Sequence, residues 1–449
     1  MEHKIVDGSL RSIFSVTIPM VLSFMSTNLM YTIDKFMLAG YSIDAMNAAS
    51  VAGTFAGIFS FMFIGMVDSA EIFVGQYNGA KQYDKLAAPA WQMIYLSLAS
   101  SLVFVPIAYF SDKINTLPDY CLKGGLEYQR ILMYFGMMAP IKTALAAFFI
   151  GQGKTKIITL SVAVATVTNT ILDYVLIYGI GDVIPEMGCS GAAIATVIAE
   201  IAQTVILAAI FFRKRNRRVY KTLENRKINS PLLCNCLRVG FPTMSGNLIS
   251  MVAWWAIQTL TAHISRDVAT IYNIGITIYI FFIFVGEGMN KAIATICANM
   301  IGRRDLQGIQ ETYKIFVIMS MFCGVIMSIP LVFFPQCILS MLDMLPNNLS
   351  ELYTDIKIVL FLVTLNVGFE TLMLSTWGVL SAGGDTKYAA IVYQACLWLL
   401  VVFPTALLYW LNALTYVPTV YAFMTALVVV AQILLYRRYK SLKWYNKLV

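Results

Sequence analysis

Twelve apolar runs, each long enough to cross a bilayer as a helix, follow one another down the chain. They fall at about 13–40, 50–76, 89–110, 129–150, 156–180, 190–212, 233–262, 270–298, 313–335, 354–381, 388–410 and 413–436. A spanning helix needs about 20 apolar residues. Twelve of them use roughly 240–300 residues, most of a chain of 449. The runs are continuous, whereas a transmembrane barrel alternates polar and apolar positions. The expected fold is an all-α polytopic membrane protein with twelve transmembrane helices. Pro19, Pro140, Pro242 and Pro404 stand inside runs and are expected to bend them, which neighbouring helices tolerate by satisfying the freed carbonyls.

Composition excludes the soluble alternatives. The chain is 59% hydrophobic and 12% charged, against about 45–50% and about 25% for soluble domains. A water-soluble enzyme, a nucleic-acid binder and a disordered chain are all ruled out. The net charge of +8 does not mark a nucleic-acid face, because the basic residues sit in short connections. One set of connections holds Lys4 and Arg11, Lys81 and Lys85, Lys154 and Lys156, the stretch from Arg213 to Lys227, Arg303 and Arg304, Lys387, and Arg437 to Lys447. The other set holds only Lys113, Lys123 and Arg266, beside acids such as Asp112, Asp119, Asp182, Asp343 and Glu351. By the positive-inside rule both termini are cytoplasmic. The longest basic connection, FFRKRNRRVYKTLENRKINSP, reads as a solvated loop that sets topology; an anionic-lipid contact is the sharper reading. The first run is expected to be retained as a helix, since no small-residue cleavage site follows it.

Cysteines at 121, 189, 234, 236, 297, 323, 337 and 396 fall mostly inside apolar runs and read as small hydrophobes. With His3 and His263 as the two histidines, no zinc pattern is present.

The chain repeats itself. At an offset of 223 residues (Pro19 onto Pro242), Ile18-Pro19 falls on Phe241-Pro242, Ser42-Ile43-Asp44 on Ser265-Arg266-Asp267, and Gly79 on Gly302. Further on, GQGKTK at 151–156 falls on AGGDTK at 382–387. This argues for two pseudo-symmetric six-helix bundles: an N lobe over 1–212, a basic linker over 213–232 and a C lobe over 233–449. An even number of helices per half makes the repeat parallel, with its axis along the membrane normal and a substrate cavity between the halves near the midplane.

Charge inside a span is expensive and by default marks a pathway or coupling site. The candidates are Asp34 in LMYTIDKFMLAG, Asp173 in TVTNTILDYVLIYG and Glu370 in NVGFETLMLS. The repeat sets these acids against Ile257, Pro404 and Ala139, so the halves share a frame but not their acids. A residue needed to fold both halves would recur; the N-terminal half therefore carries a specialised site. Asp34 lies near the outer end of its helix, and Asp173 stands about 25 Å along the fifth run at 1.5 Å per residue. Asn169 precedes Asp173 by four residues and shares its helix face. Two carboxylates, the Asn169 amide oxygen and the Thr196 hydroxyl suit a hard cation such as Na⁺. Alternatively the two acids share one proton, because close carboxylates in a low dielectric do not both stay ionised cheaply. Competing structural readings are an Asp34–Lys35 ion pair, and interhelical hydrogen bonds for Asp173, Glu370, Asn169 and Thr196. Asp68 and Glu71 read as a structural polar network. Trp254, Trp255 and Tyr272 offer stacking to an aromatic substrate, with packing the plainer reading.

Any uphill transport would have to draw on an ion gradient. GQGKT at 151–155 departs from a phosphate loop, which needs Gly where Phe148 stands, and it joins two spans instead of following a strand.

Taken together, IDKFMLAG, FVGQYNGAKQYD, IGQGKTK, NTILDYVLIYG, SGAAIAT and GVLSAGGDTKYA give a sequence that resembles the multidrug and toxic compound extrusion (MATE) family over its whole length. The resemblance implies two six-helix lobes around a V-shaped cavity and exchange of Na⁺ or H⁺ for outgoing organic, often cationic and aromatic, compounds. It places a cation site on Asp34, Asn169, Asp173 and Thr196, with Na⁺ held by Asp34 and Asp173 if sodium drives transport. Glu370 matches the C-lobe acid of NorM-like members. Those members also carry a Glu in the seventh helix where this chain has Ser250, so the N-lobe site is favoured, as in DinF-like members.

The expectation is an inner-membrane antiporter for multidrug efflux, not an enzyme. It needs no cofactor, binds no nucleic acid and acts as a monomer in the bilayer. A dedicated natural-product exporter and a lipid-linked sugar flippase are the nearest alternatives; the flippase would line its cavity with bases for phosphate, and the helices hold few besides Lys142 and Lys291. A membrane enzyme would need a His/Asp/Cys cluster, and a channel would conduct without counter-substrate.

Overall fold

A computed structural model describes residues 7–114, 122–181, 183–262, 264, 266–336, 349–413 and 416–445. Cys121, Cys337, His3, His263, Asp119, Asp182 and Asp343 lie outside them. In hydrocarbon every backbone polar group must be satisfied within its own segment, and the described residues accordingly form helices, with one isolated bridge between Ile180 and Ile184. The helices are α1 (Leu10–Tyr41), α2 (Ile43–Val67), α3 (Ser69–Gly79), α4 (Ala87–Ala99), α5 (Ser101–Tyr109), α6 (Leu122–Tyr134), α7 (Met138–Ile150), α8 (Thr155–Tyr178), α9 (Gly188–Phe211), α10 (Lys214–Tyr220), α11 (Ser230–Ala262), α12 (Arg266–Arg303), α13 (Leu306–Phe333), α14 (Leu349–Ala382), α15 (Thr386–Leu397), α16 (Phe403–Trp410) and α17 (Pro418–Lys440).

Ten stretches among the described residues are long and apolar enough to cross a membrane, and α6 with α7 forms an eleventh, bent by 42°. The twelfth is α11, 33 residues long. Its Ser, Asn and Gly residues and its two tryptophans lower its hydropathy without shortening it. Several runs that look continuous are broken: α2 passes to α3 at Asp68, α4 to α5 at Ser100, and α15 to α16 through a π-turn at Trp398–Val402.

The prolines explain two motifs. Pro19 has no N–H, so the Ser15 carbonyl four residues back loses its helical donor; the Thr155 hydroxyl of GQGKT donates to it at 3.3 Å. In the second half the Thr386 hydroxyl of AGGDT donates to the Val239 carbonyl, beside Pro242, at 2.6 Å. The repeated Gly-rich turns are therefore clamps on the proline-containing helices α1 and α11.

The two bundles meet in the half of the molecule nearest the basic loops. There α12 packs on α1 and α3, and α11 on α2. Lys291 of α12 bridges Asp68 at 2.8 Å and Glu71 at 3.3 Å, and the Thr295 hydroxyl donates to Glu71 at 2.8 Å. Asn78 donates to Asn299 at 2.6 Å, and the Gln76 amide to the Ala382 carbonyl at 2.9 Å. Asp68 and Glu71 thus belong to the polar network expected of them, with Lys291 as its centre.

The basic connection is pinned down. The Trp91 indole donates to the Thr222 carbonyl at 2.6 Å and Gln92 to the Lys227 carbonyl at 3.1 Å. Lys154, in the turn between α7 and α8, donates to Gln152 at 2.5 Å and to the Tyr220 hydroxyl at 3.0 Å. Burial, reinforced by Arg215, pulls the Lys154 ammonium down to about 8. The unfolded lysine titrates at about 10.4, so between these values the unfolded chain binds more protons and stability rises with pH. Thermal unfolding from about pH 7 to about pH 10 should show this rise in the native chain and a smaller one in Lys154→Met.

Candidate functional site

Packing of α8 between α1 and α9 builds the first polar cluster. On α8 the buried residues Val162, Thr166, Asn169, Asp173 and Ile177 recur every three or four positions and form one stripe facing the bundle interior. Gly191 brings α9 against α8, where a Cβ would lie 2.5 Å from the Leu176 carbonyl oxygen. Thr196 then faces Asp34 of α1, its hydroxyl 3.5 Å from Oδ2 and 3.0 Å from the Ala192 carbonyl. At the outer end the Tyr178 hydroxyl donates to the Met37 carbonyl at 2.7 Å, tying α8 to α1.

Asp173 and Asn169 are fully buried, and Asp34 and Thr196 nearly so. The carboxyls of Asp34 and Asp173 are near neighbours that act on each other electrostatically, with Asn169 beside both. Yet Asp34 Oδ1, both oxygens of Asp173 and both polar atoms of Asn169 lack a sound donor or acceptor partner in the protein. Lys35 is exposed, and no ion pair among the described residues reaches either aspartate. A carboxylate only accepts hydrogen bonds. Two of them as neighbours, out of water and without a basic partner, call for neutralisation by a shared proton or by a cation. The oxygen-only donor set fits a hard monovalent cation, and no group of three or more His, Cys, Asp or Glu among the described residues offers a transition-metal site.

The sequence-predicted residues therefore divide. Asp34, Asn169, Asp173 and Thr196 come together. Glu370 lies apart, on α14 in the second bundle, where the Tyr279 hydroxyl donates to Oε2 at 2.6 Å. Trp254, Tyr393 and Asn366 line the space around it, and the Asn366 oxygen has no partner. Ser250 accepts from Gln394 at 2.7 Å instead of serving Glu370. Tyr272 is buried and its carbonyl accepts from the Tyr421 hydroxyl at 2.6 Å, a packing role, whereas Trp255 is exposed.

Four further residues were not read from the sequence as parts of the first cluster. Tyr31 and Tyr128 stand within electrostatic reach of Asp34. Lys142 of α7 donates to Glu200 of α9 at 2.7 Å. Glu200 follows Thr196 by four residues, and that spacing is the signal that places it on the same helix face.

The family described as MatE matches residues 19–175 and again 242–431. Its two matches open on Pro19 and Pro242, the pair aligned by the repeat. The "Probable multidrug resistance protein NorM" of Thermotoga maritima is 23% identical over 332 residues, covering 73% of this chain and 70% of its own length. The "DNA damage-inducible protein F" of Escherichia coli is 23% identical over 325 residues, covering 69% and 67%. Among solved structures, the "Outward-facing conformation of a multidrug resistance MATE family transporter of the MOP superfamily" superposes with a TM-score of 0.83 at 18% identity over 96% of both chains.

Proposed function

The chain belongs to the MATE family of membrane transporters, whose family description matches it in both halves, and from that premise we propose that it exports organic, cationic or amphipathic compounds in exchange for Na⁺ or H⁺ by alternating access. The observation that carries this reading is the pair of buried, mutually facing carboxyls of Asp34 and Asp173 with no basic partner. Asn169 and Thr196 complete the cation site, so coupling resides in the first bundle, as the DinF-like reading has it. Residues 1–212 form the N lobe, 213–232 the linker and 233–449 the C lobe. The basic loops and both termini face the cytoplasm of a cell whose inner membrane holds the protein as a monomer.

With the lobes in contact on the basic side through α12 with α1 and α3, substrate is taken to leave toward the outside. A cation entering from outside bridges the two aspartates and draws α1 toward α8. Because α1 also packs on α12 of the other lobe, that shift changes the cavity wall and releases substrate outward. Glu370, hydrogen-bonded by Tyr279 beside Trp254 and Tyr393, supplies a negative charge among aromatic faces, a setting that suits an organic cation. The flippase reading loses support, because Lys142 and Lys291 are both tied to acids and offer no free charge to a phosphate.

Reconstituted vesicles loaded with a fluorescent organic cation test the reading. An imposed inward Na⁺ or H⁺ gradient should drive efflux when each is applied separately at fixed membrane potential. Export that ignores both gradients, or ion conductance without counter-substrate, would overturn it.

A further inference from the structure

The ion pair Lys142–Glu200 has no part in the site as described. It sits half-buried inside the same bundle, on α7 and α9, toward the basic-loop side of the aspartates. Glu200 stands about 6 Å along α9 from Thr196, one helical turn at 1.5 Å per residue, and Thr196 touches Asp34. Tyr31 is within electrostatic reach of Lys142, Glu200 and Asp34, and so stands between the ion pair and the aspartates. The ionisable groups of this part of the bundle are Asp34 and Tyr31 from α1, Tyr128 from α6, Lys142 from α7, Asp173 from α8, and Cys189 and Glu200 from α9. That is one base among three carboxyls, and Lys142 serves one group at a time.

Space for movement exists. A cavity of about 20 Å³ adjoins the pair, lined by Thr27, Thr166 and Gln203 among others. A volume of roughly 10–15 Å³ holds one water. The Glu200 carboxylate borders that cavity, which has room for a water to take the place of the lysine ammonium. The lysine ammonium rides on a flexible four-carbon stem, long enough for a displacement of about one helical turn.

We propose that Lys142 is a built-in competitor of the coupling cation, paired with Glu200 when Asp34 and Asp173 hold the cation and swung onto the aspartates when the cation leaves. The inference rests on the cation site proposed above. It gives the empty site a positive charge, so the bundle never buries two unneutralised carboxylates in the cation-free half of the cycle. Glu200 is the parking place that sets how readily Lys142 competes. The two residues, though partners, then act on cation affinity with opposite signs.

The purified full chain in lipid nanodiscs, followed by the carboxylate infrared bands, reads this out. Titration uses NaCl at fixed pH and, separately, acid at fixed KCl. Glu200→Gln frees Lys142 to occupy the aspartates and should weaken cation binding roughly tenfold, within the usual range of site–site couplings. Lys142→Met removes the competitor and should tighten it by about the same factor. The charge-balanced double variant Lys142→Met/Glu200→Gln should also bind more tightly than the native chain, and it carries the test if either single variant fails to fold. A shift in the same direction for both single variants, or none in the double, marks a structural ion pair and overturns the proposal. Asp34→Asn runs beside them: a titration that Asp34→Asn leaves unchanged defeats the cation site itself, and this inference with it.

Discussion

Asp34→Asn and Asp173→Asn should each abolish gradient-driven export while making the protein harder to unfold. The two effects have one cause. Each substitution replaces an acceptor-only carboxylate with an amide that also donates. In Asp34→Asn the new N–H₂ faces Asp173, whose two oxygens have no partner in the native chain. A hydrogen bond forms where two negative groups faced each other, and it contributes about 1 kcal/mol, with relief of like-charge repulsion added. The same bond occupies the oxygens that the cation needs. Loss of one carboxylate from so small a site should lower cation affinity by on the order of 100-fold, equivalent to about 3 kcal/mol. Functional sites often hold such local instability. Vesicle efflux under an imposed gradient, set beside the thermal midpoint in detergent, measures both arms. The double variant should transport no worse than either single one, since the two acids act as a unit. Native-like coupled efflux by Asp34→Asn removes the cation reading. A large fall in the midpoint would instead make the pair a structural element.

The buried polar cluster proposed as the cation site was legible in the sequence because charge inside a span stands out against an apolar background. Asp34 and Asp173 need no alignment to be noticed, and helical spacing puts Asn169 on the face of Asp173. Pairing was not legible in the same way. Lys142 meets Glu200, and Lys291 meets Asp68 and Glu71, through the rotation of one helix against another, which sequence spacing does not encode. Amphipathic periodicity usually reports that rotation. Here lipid-facing and interior faces are both apolar, so the buried stripe of α8 shows in its polar members and not in a hydrophobic period. The breaks at Asp68, Ser100 and the π-turn after Leu397 were hidden for a similar reason: hydropathy continues across them. The repeat was legible where its residues do backbone work. Pro19 and Pro242 interrupt helices, and Thr155 and Thr386 donate to the backbone beside them. Chemistry of that kind allows few substitutes, whereas the surrounding leucines and valines exchange freely.

Gly79 and Gly302, the last such pair, should tolerate no side chain of any size. A Cβ on Gly79 would stand 1.8 Å from the Asn299 carbonyl oxygen, and one on Gly302 would stand 2.1 Å from that of Gln76. Asn299 precedes Gly302 by three residues and Gln76 precedes Gly79 by three, so each glycine rests on the matching point of the other's helix. That is the geometry of a pseudo-two-fold axis passing between α3 and α12, where the two lobes seal the basic side. The obstacle in both cases is backbone, which does not step aside as a flexible side-chain end would. Gly79→Val or Gly302→Val therefore has to push the lobes apart and stretch the Asn78–Asn299 and Lys291–Asp68 bonds nearby. Overpacking of an interior typically costs ~1–3 kcal/mol, and a backbone clash belongs at or beyond the top of that range. Gly57→Ala is the control: its Cβ would meet Phe61 at an ordinary 3.7 Å, and removing a helical glycine is worth roughly 0.5–1 kcal/mol in favour of the folded chain. The midpoint should fall sharply in the first two variants and hold or rise in the third, with efflux lost only in the first two. Valine at 79 or 302 with native stability and transport would mean that the lobes do not bear on each other there, and the contact that closes the basic side in the proposed cycle would have to lie elsewhere.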